Sequence, residues 1–303
     1  MTVRTRFAPS PTGDLHLGGA WTALASWVVA RCGGGQCVLR IEDLDPPRVV
    51  PGAEARIEED LRWLGLDWDG APVRQSDRGA HYESAIATLA AKGLVYPCDC
   101  SRAEIALVAN APHPGEESVY PGTCRDGDPS RRMKRAPTLR VRVPDEVVTY
   151  KDAIAGLVEQ NLARDVGDFV LRRGDGVFAY QLAVVVDDLA AGITDVVRGA
   201  DLIGSTPRQI WLIRALEETP PRYAHVPLVV ASDGTRLEKR HAALAVRALR
   251  SEGVSAGRML GRLAHGLGLA ATDAPATADE IARGCAGRGI PWRRDPWPAP
   301  ATW

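Results

Sequence analysis

The first third of the chain alternates short apolar segments with longer amphipathic ones. Val3–Phe7 and Gln36–Ile41 are short and nearly continuously apolar, as buried parallel strands are. We expect Asp14 to cap a helix that runs to about Arg31, before the stop at Gly33–Gly35. Two further amphipathic helices are predicted at Ala53–Leu64 and His81–Lys92. This order of strands and helices predicts a doubly wound α/β domain.

The pattern changes between about residues 94 and 160. This stretch holds three of the six cysteines and several prolines, and within it Leu139–Val143 alternates like an exposed strand. We interpret the stretch as an insertion into the α/β domain. The α/β pattern then resumes with a helix at Pro207–Glu217 and with four apolar segments, Phe169–Leu171, Val177–Val186, Ile193–Val197 and Val226–Val230.

A division of the chain follows near residue 240. We assign residues 1–240 to one α/β domain that contains the insertion. Residues 241–303 have the pattern of two or three helices followed by a tail rich in proline and tryptophan. The sequence therefore predicts a short helical C-terminal region after the α/β domain.

Composition narrows the class of protein. The 303 residues carry 37 lysines and arginines against 38 acidic residues, so a general polycation is excluded while a local nucleic-acid surface is allowed. No apolar run approaches the roughly 18 residues of a membrane span, and the N-terminus lacks the apolar core of a signal peptide. Six irregularly spaced cysteines do not suggest a disulfide scaffold. We expect a cytoplasmic protein with reduced thiols, no membrane association and no obligate protein partner.

The richest motif joins the first strand to the first helix. It reads Arg6-Phe-Ala-Pro-Ser-Pro-Thr-Gly-Asp-Leu-His16-Leu-Gly-Gly19. The free N–H groups at the start of a helix and the helix dipole attract anions. Gly18 and Gly19 let a bulky ligand approach the backbone, and His16 can donate to a phosphate oxygen. The motif therefore predicts an anion site.

The motif resembles the ATP-binding first motif of class I aminoacyl-tRNA synthetases, in the variant of the glutamyl group. Other segments resemble later motifs of that family in the right order: Arg40-Ile-Glu42-Asp-Leu-Asp45-Pro-Pro-Arg48, Tyr180–Asp188, Val197–Leu202 and Arg236-Leu-Glu-Lys239. The last is similar to the second ATP motif, K-[ML]-S-K, but has Arg236 and Glu238 in place of the first lysine and the serine. The resemblance implies a Rossmann-type catalytic domain that uses ATP with Mg²⁺.

Departures from that pattern indicate one branch of the family. Trp21 stands where discriminating glutamyl-tRNA synthetases usually have arginine, and Leu44–Arg48 replaces a threonine, an aspartate and a charged pair. The 64 residues after Lys239 are too few for an anticodon-binding domain. The chain is most similar to the glutamyl-Q tRNA(Asp) synthetases. That similarity implies ATP-dependent activation of glutamate and its transfer to queuosine, the modified wobble base of tRNA(Asp).

Two other functions stay open at this point. One is a fragmentary glutamyl-tRNA synthetase that charges a tRNA 3′ end. The other is a non-catalytic protein that binds tRNA or nucleotides, which the altered segment Arg236–Lys239 would fit. The basic run Arg131–Arg135 is a candidate for contact with tRNA, but we interpret it first as a solvated loop.

The same resemblance implies a glutamate site. Guanidinium groups suit the two carboxylates of glutamate, and one protein carboxylate suits its ammonium group. In the family pattern Arg6 and Arg198 pair with the carboxylates, although the sequence does not say which takes which. Glu42 takes the ammonium group, Tyr180 adds a hydroxyl, and the loop after Arg6 lines the site through Phe7, Ala8, Pro9 and Ser10.

The resemblance also implies an ATP site and its catalytic groups. His16, Gly18, Gly19 and Lys239 would bind ATP. His16 and Lys239 would act in catalysis, since a compact ammonium group stabilises the pyrophosphate that leaves. No Mg²⁺ ligand can be named from the sequence.

Three cysteines of the insertion form a candidate zinc site. Cys98-Asp-Cys100 and Tyr120-Pro-Gly-Thr-Cys124 supply three thiols, and structural zinc takes four ligands. The fourth is open between His113, the commoner ligand type, and Tyr120, which the family resemblance favours. A loop with little apolar sequence benefits from such a metal. We interpret Cys32, Cys37 and Cys285 as structural.

Overall fold

The computed structural model describes residues 2–101, 103–105, 119–128, 132–231, 244–300 and 302–303. The strands within these ranges are β1 Arg4–Phe7, β2 Gln36–Ile41, β3 Val73–Arg74, β4 Val95–Cys98, β5 Thr138–Val141, β6 Val147–Asp152, β7 Gly156–Asn161, β8 Val170–Arg172, β9 Asp195–Gly199, β10 Arg222–Val226, β11 Val229–Val230 and β12 Trp297–Pro298. The helices are α1 Leu17–Cys32, α2 Ala53–Trp63, α3 Gly79–Ala91, α4 Leu162–Asp165, α5 Tyr180–Ala190, α6 Thr206–Ala215, α7 Val246–Ser251, α8 Ala256–Leu267 and α9 Ala278–Cys285. Short 3₁₀ helices span Pro46–Arg48, Gln75–Arg78 and Ala200–Ser205.

Parallel strands form the centre of the molecule. One set has the order β1-β2-β3, and the other has β6, β10 and β9 side by side with β7 antiparallel on β6. The two sets border each other at β1 and β9, since the Thr194 N–H donates to the Arg4 carbonyl at 2.9 Å. The strand order therefore runs in one direction from β1 to β3 and in the opposite direction from β9 through β10 to β6. In α/β folds such a switch point between two strands is where ligands bind, at the carboxyl ends.

Helix α1 is buried between the strands and the C-terminal helices α8 and α9. The ring of Trp21 stacks on that of Trp297, with centroids 5.0 Å apart, and its indole N–H donates to the Pro227 carbonyl at 2.9 Å. Cys37 and Cys285 lie in the same core, and Cys32 packs against it. The C-terminal region therefore completes the core around the helix that carries the first motif.

An antiparallel sheet, β4-β5-β8, lies beside the parallel strands. The cysteine segment leaves this sheet after β4. The hairpin of β6 and β7 instead joins the parallel strands, where Ala153 N–H donates to the Tyr223 carbonyl at 2.9 Å. Among the described residues, every helix falls short of the length and apolarity needed to cross a bilayer.

Two local predictions were wrong. Helix α1 is capped by His16 and not by Asp14, because residue 16 is still extended and its Nδ1 accepts from the Gly19 N–H. The segment Leu139–Val143 forms a strand, but a largely buried one, since β5 pairs with strands on both sides and buries Arg140 and Val141. Arg140 and Arg142 alternate with apolar residues in this segment and so resembled the exposed face of a strand. The apolar segment Val177–Val186 lies mainly in helix α5.

Prediction for the core around α1. An ideal Cβ on Gly266 would lie 2.7 Å from ring atoms of both Trp21 and Trp297. Gly266→Ala should therefore destabilise the protein by about 1–3 kcal/mol, the usual cost of overpacking. Gly284→Ala is the matched control, since a Cβ there meets nothing within 4 Å and should stabilise helix α9 by roughly 0.5–1 kcal/mol. Urea unfolding measures both, and equal stabilisation by the two changes would contradict this account of the packing.

Candidate active site and cysteine cluster

The first motif, the segment after β2 and the end of β9 meet at the switch point. Arg6 lies on β1 and Arg198 on β9, and Arg6 Nη1 reaches the Val197 carbonyl at 3.3 Å. Glu42 follows β2 directly, and its backbone N–H donates to the Pro9 carbonyl at 3.0 Å. This bond fastens the loop Phe7–Ser10 to the segment that follows β2. Tyr180 begins α5 on the same side, with its hydroxyl 3.4 Å from Arg198 Nη1.

A buried carboxylate, that of Asp188, links Arg6 to Arg40. Arg6 Nε lies 3.1 Å from its Oδ1, and Arg40 Nη1 lies 2.6 Å from the same atom. Burial works against the charge, but Arg6 and Arg40 lower the pKa of Asp188 below its usual value. Asp188 is therefore ionised and holds both guanidinium groups in place.

Glu42 is bound to the same centre through Arg40, whose Nη2 lies 3.2 Å from Glu42 Oε1. Burial raises the pKa of Glu42, and the attraction of Arg40 and Arg6 offsets this only in part. A further cation, such as the ammonium group of a ligand, would favour the ionised form of Glu42. The arrangement suits an ammonium ligand.

The neighbouring Asp187 fastens the surrounding elements together. Its carboxylate accepts from Gln75 Nε2 at 2.8 Å, from Arg78 Nε at 2.5 Å and from the Tyr82 hydroxyl at 2.9 Å. These partners come from the 3₁₀ turn before α3 and from α3 itself, so Asp187 ties both to α5.

On the side away from Tyr180, Arg198 is held by uncharged groups. Its Nε donates to His225 Nε2 at 3.1 Å, and its Nη2 donates to Thr206 Oγ1 at 2.7 Å. His225 Nδ1 lies 2.6 Å from Asp152 Oδ2. Arg198, Thr206, His225 and Asp152 are all buried.

The start of α1, where the sequence predicts an anion site, is formed by His16 and the two glycines that follow Leu17. His16 is exposed, and its Nδ1 accepts from the Gly19 N–H at 3.0 Å. A Cβ on Gly19 would lie 2.7 Å from Leu15 Cδ1, and one on Gly18 would lie 3.2 Å from His16 Nδ1. A side chain at either glycine would therefore displace the side chain of Leu15 or His16 in this turn.

The second ATP motif, with Arg236, Glu238 and Lys239, lies outside the described residues. The chain that follows it returns to the first motif, since Val246 N–H donates to the Leu15 carbonyl at 2.8 Å and Ala245 bridges His16. His113 and Arg131 are also outside the described residues. In the rest of the basic run, Lys134 and Arg135 pair with Glu104 at 3.0 and 3.3 Å.

The three predicted cysteines come together beside the antiparallel sheet. The sulfur atoms of Cys98, Cys100 and Cys124 all lie within 4.8 Å of one another. The Tyr120 hydroxyl is 3.3 Å from Cys98 Sγ and 3.8 Å from Cys100 Sγ, and it accepts from the Cys124 N–H at 2.8 Å. Three thiols and one phenol oxygen thus lie close together, and cysteine sulfurs are ligands that zinc prefers.

The thiols differ in acidity. Burial opposes ionisation of Cys98, but hydrogen bonds from Tyr120, the Cys100 backbone and Arg140 lower the pKa of its thiol. Burial and the neighbouring Cys124 raise the pKa of Cys100 to about 11. Arg140 also lies over the Tyr120 ring, 3.9 Å from its centroid, and so packs the cluster onto β5.

Several residues of this centre were not singled out from the sequence. Asp187 and Asp188 end an apolar helical run, Val184–Val186, and two acids in such a position need buried partners. That signal was available. No sequence signal pointed to His225 or to Thr206, which reach Arg198 from β10 and α6.

Comparison with known proteins places this geometry in a family. Residues 2–273 match the model of the class I tRNA synthetases (E and Q), catalytic domain. Glutamyl-Q tRNA(Asp) synthetase of Nitratidesulfovibrio vulgaris is 49% identical over 276 residues, covering 86% of this chain and 85% of that one. The protein of the same name from Deinococcus radiodurans is 51% identical over 289 residues, covering 93% and 95%.

A solved structure gives the same result for the fold. The glutamate tRNA ligase from Elizabethkingia meningosepticum, determined in complex with its amino acid, superposes with a TM-score of 0.81 at 29% identity. The match covers 93% of this chain but 64% of that longer protein. The α/β core is therefore a Rossmann-like synthetase catalytic domain. The chain belongs to the class I tRNA synthetases of the E and Q group, within the glutamyl-Q tRNA(Asp) synthetase family, and it is a ligase.

Proposed function

We propose that the protein activates glutamate with ATP and transfers the glutamyl group to queuosine at the wobble position of tRNA(Asp). The names of its relatives support the queuosine substrate. The observation that carries the activation step is the cluster of Arg6, Glu42, Tyr180 and Arg198 at the switch point, next to the start of α1. Its two arginines are buried, and Glu42 and Tyr180 are partly buried.

Glutamate would bind with its two carboxylates on Arg6 and Arg198 and its ammonium group on Glu42. Both arginines are fixed before the ligand arrives, Arg6 by Asp188 and Arg198 by His225 and Thr206. Fixed donors lose little entropy on binding, and they favour a ligand whose charges match their spacing.

ATP would bind with its phosphates at the start of α1. Because His16 Nδ1 accepts a hydrogen bond, the neutral ring carries its proton on Nε2 and can donate it to a phosphate oxygen. Lys239 is proposed to reach the phosphates from the second motif. Mg²⁺ bound with ATP would supply further neutralisation of the phosphate charge.

The reaction has two steps. A glutamate carboxylate oxygen attacks the α-phosphorus of ATP, and the bond to the bridging oxygen of the β-phosphate breaks to release pyrophosphate. A hydroxyl of the queuosine cyclopentene ring then attacks the carbonyl carbon of glutamyl-adenylate, and AMP leaves. The protein contributes positioning and charge stabilisation and forms no covalent intermediate.

We further propose that Cys98, Cys100, Cys124 and Tyr120 hold one structural zinc ion. The distances among the three sulfurs and the phenol oxygen support this ligand set. Such a site would tie the end of β4 to residues 119–128, a segment that contributes few residues to the apolar cores.

Prediction for the metal. Purified protein should contain about one zinc per chain by elemental analysis, since four ligands complete one tetrahedron. Cys98→Ser and Cys124→Ser should lose the metal, while Cys32→Ser, outside the cluster, should keep it. Comparison of Tyr120→Phe with His113→Ala identifies the fourth ligand. Full zinc content in both cysteine variants of the cluster would rule out this site.

Prediction for activation. Lys239→Ala should reduce glutamate-dependent ATP–pyrophosphate exchange by about 10²-fold or more, the usual scale for loss of one charge-stabilising donor. Arg6→Ala should mainly raise the KM for glutamate. Lys151→Ala, which removes an exposed lysine on β6, serves as the control. Exchange unchanged by Lys239→Ala would exclude the role given to the second motif.

Prediction for the acceptor. With labelled glutamate and ATP, the protein should label tRNA(Asp) from cells that make queuosine and leave tRNA from queuosine-deficient cells unlabelled. Nuclease digestion should recover the label in the anticodon-loop fragment, since a splayed loop base is open to recognition by its edges. Equal labelling of both pools, or a label on the 3′ fragment, would instead identify a ligase that charges the 3′ end.

A further inference from the structure

Three neighbouring parallel strands place a line of polar side chains behind Arg198. Arg198 on β9 and His225 on β10 are direct partners in the strand register, and Asp152 ends β6 on the other side of β10. Their side chains connect in one line, with Asp152 Oδ2 at 2.6 Å from His225 Nδ1 and His225 Nε2 at 3.1 Å from Arg198 Nε. Asp152 and His225 lie behind the site and are buried at 2% and 1% exposure, so neither is placed to touch substrate.

The geometry fixes the proton of His225. Arg198 Nε can only donate, so His225 Nε2 must accept and the hydrogen lies on Nδ1, where it faces Asp152. Asp152 Oδ1 accepts from the N–H groups of Ile154 and Ala155, each at 2.9 Å. An acid with this many donors is ionised, so Asp152 holds the ring in one tautomer and one orientation.

The same contacts decide which side of Arg198 can meet a ligand. His225 occupies its Nε, and Thr206 occupies its Nη2 at 2.7 Å. Thr206 also lies 3.0 Å from His225 Nε2, so the three side chains form a closed ring. The third nitrogen, Nη1, points to the Tyr180 hydroxyl on the side of the proposed glutamate site.

Aromatic rings enclose this line of side chains. Tyr223 stacks on His225 with centroids 6.2 Å apart, and Tyr150 meets the same ring edge-on at 6.5 Å. Burial among these rings keeps water from replacing His225 as the partner of Arg198. A long side chain such as arginine has many rotamers, and buried partners of this kind select one of them.

We infer that His225, held by Asp152, is a positioning residue that turns Arg198 so that Nη1 faces a glutamate carboxylate. This inference rests on the proposed function, which assigns Arg198 to glutamate. Its consequence is specific: loss of the acceptor at His225 Nε2 weakens glutamate binding and leaves ATP binding as it is.

The test compares two substitutions of the same histidine. In His225→Gln the amide oxygen can take the place of Nε2 and still accept from Arg198, whereas the shorter side chain of His225→Asn reaches only the position of Nδ1. In ATP–pyrophosphate exchange, His225→Asn should raise the KM for glutamate about 10-fold or more, the scale for loss of a hydrogen bond to a charged group. His225→Gln should stay within about threefold, and the KM for ATP should change less than about twofold in both.

Non-additivity gives the second readout. If His225 acts through Arg198, adding His225→Asn to Arg198→Lys should raise the KM for glutamate by less than about twofold, because the shared interaction is already lost. Thermal unfolding checks that each variant folds. Should His225→Asn fail to fold, Asp152→Asn takes its place and should raise the KM for glutamate through loss of the fixed tautomer.

The outcomes separate this inference from the proposed function. No exchange by the unmodified protein, or wild-type glutamate KM in Arg198→Lys, would overturn the proposed function itself. A defect in Arg198→Lys together with normal glutamate KM in His225→Asn would overturn the positioning role alone. Equal defects in the asparagine and glutamine variants, additive effects with Arg198→Lys, or a matching rise in the KM for ATP would overturn it as well.

Discussion

The candidate site depends on one buried carboxylate, that of Asp188. It lies between Arg6 on β1 and Arg40 on β2 and joins both to helix α5. Two guanidinium groups this deeply buried would repel each other and would be costly to remove from water without it. With the carboxylate in place, the arginines can stand at the switch point with their charges intact, and Glu42 can join the same centre through Arg40.

The second arginine of the site is supported in a different way. Arg6 is held by a full negative charge, whereas Arg198 meets a neutral histidine and a threonine hydroxyl. In the proposed glutamate site, the neutral acceptor leaves the charge of Arg198 available to a substrate carboxylate, whereas Asp188 partly balances the charge of Arg6. The negative charge of Asp152 stays one residue further away, behind the ring of His225. Both supports hold an arginine in place, but they differ in how far they balance its charge.

The sequence predicted the parts of the protein that local patterns encode. The strands β1 and β2, the helices α2 and α3 and the first motif all follow from apolar periodicity and from glycine and proline positions. The predicted glutamate residues do come together, as do Cys98, Cys100 and Cys124. Contacts between strands that are far apart in the sequence could not be predicted from local patterns. Nothing local marks His225 as the partner of Arg198. Arg140 of β5 resembled a solvated residue because its partners, the Tyr120 ring and the Asp168 carbonyl, lie elsewhere in the chain.

Trp21 shows how one departure from a family pattern acquires a physical meaning. At this position an arginine on α1 would need water or a partner charge, but the structure offers a stack with Trp297 and a carbonyl at Pro227. The tryptophan therefore joins α1 to the C-terminal region and removes a polar group from the helix that His16 caps. Because the proposed anion site lies at the start of α1, its position is only as fixed as that helix. The C-terminal helices α8 and α9, which pack on α1, thus support the proposed ATP site without touching it.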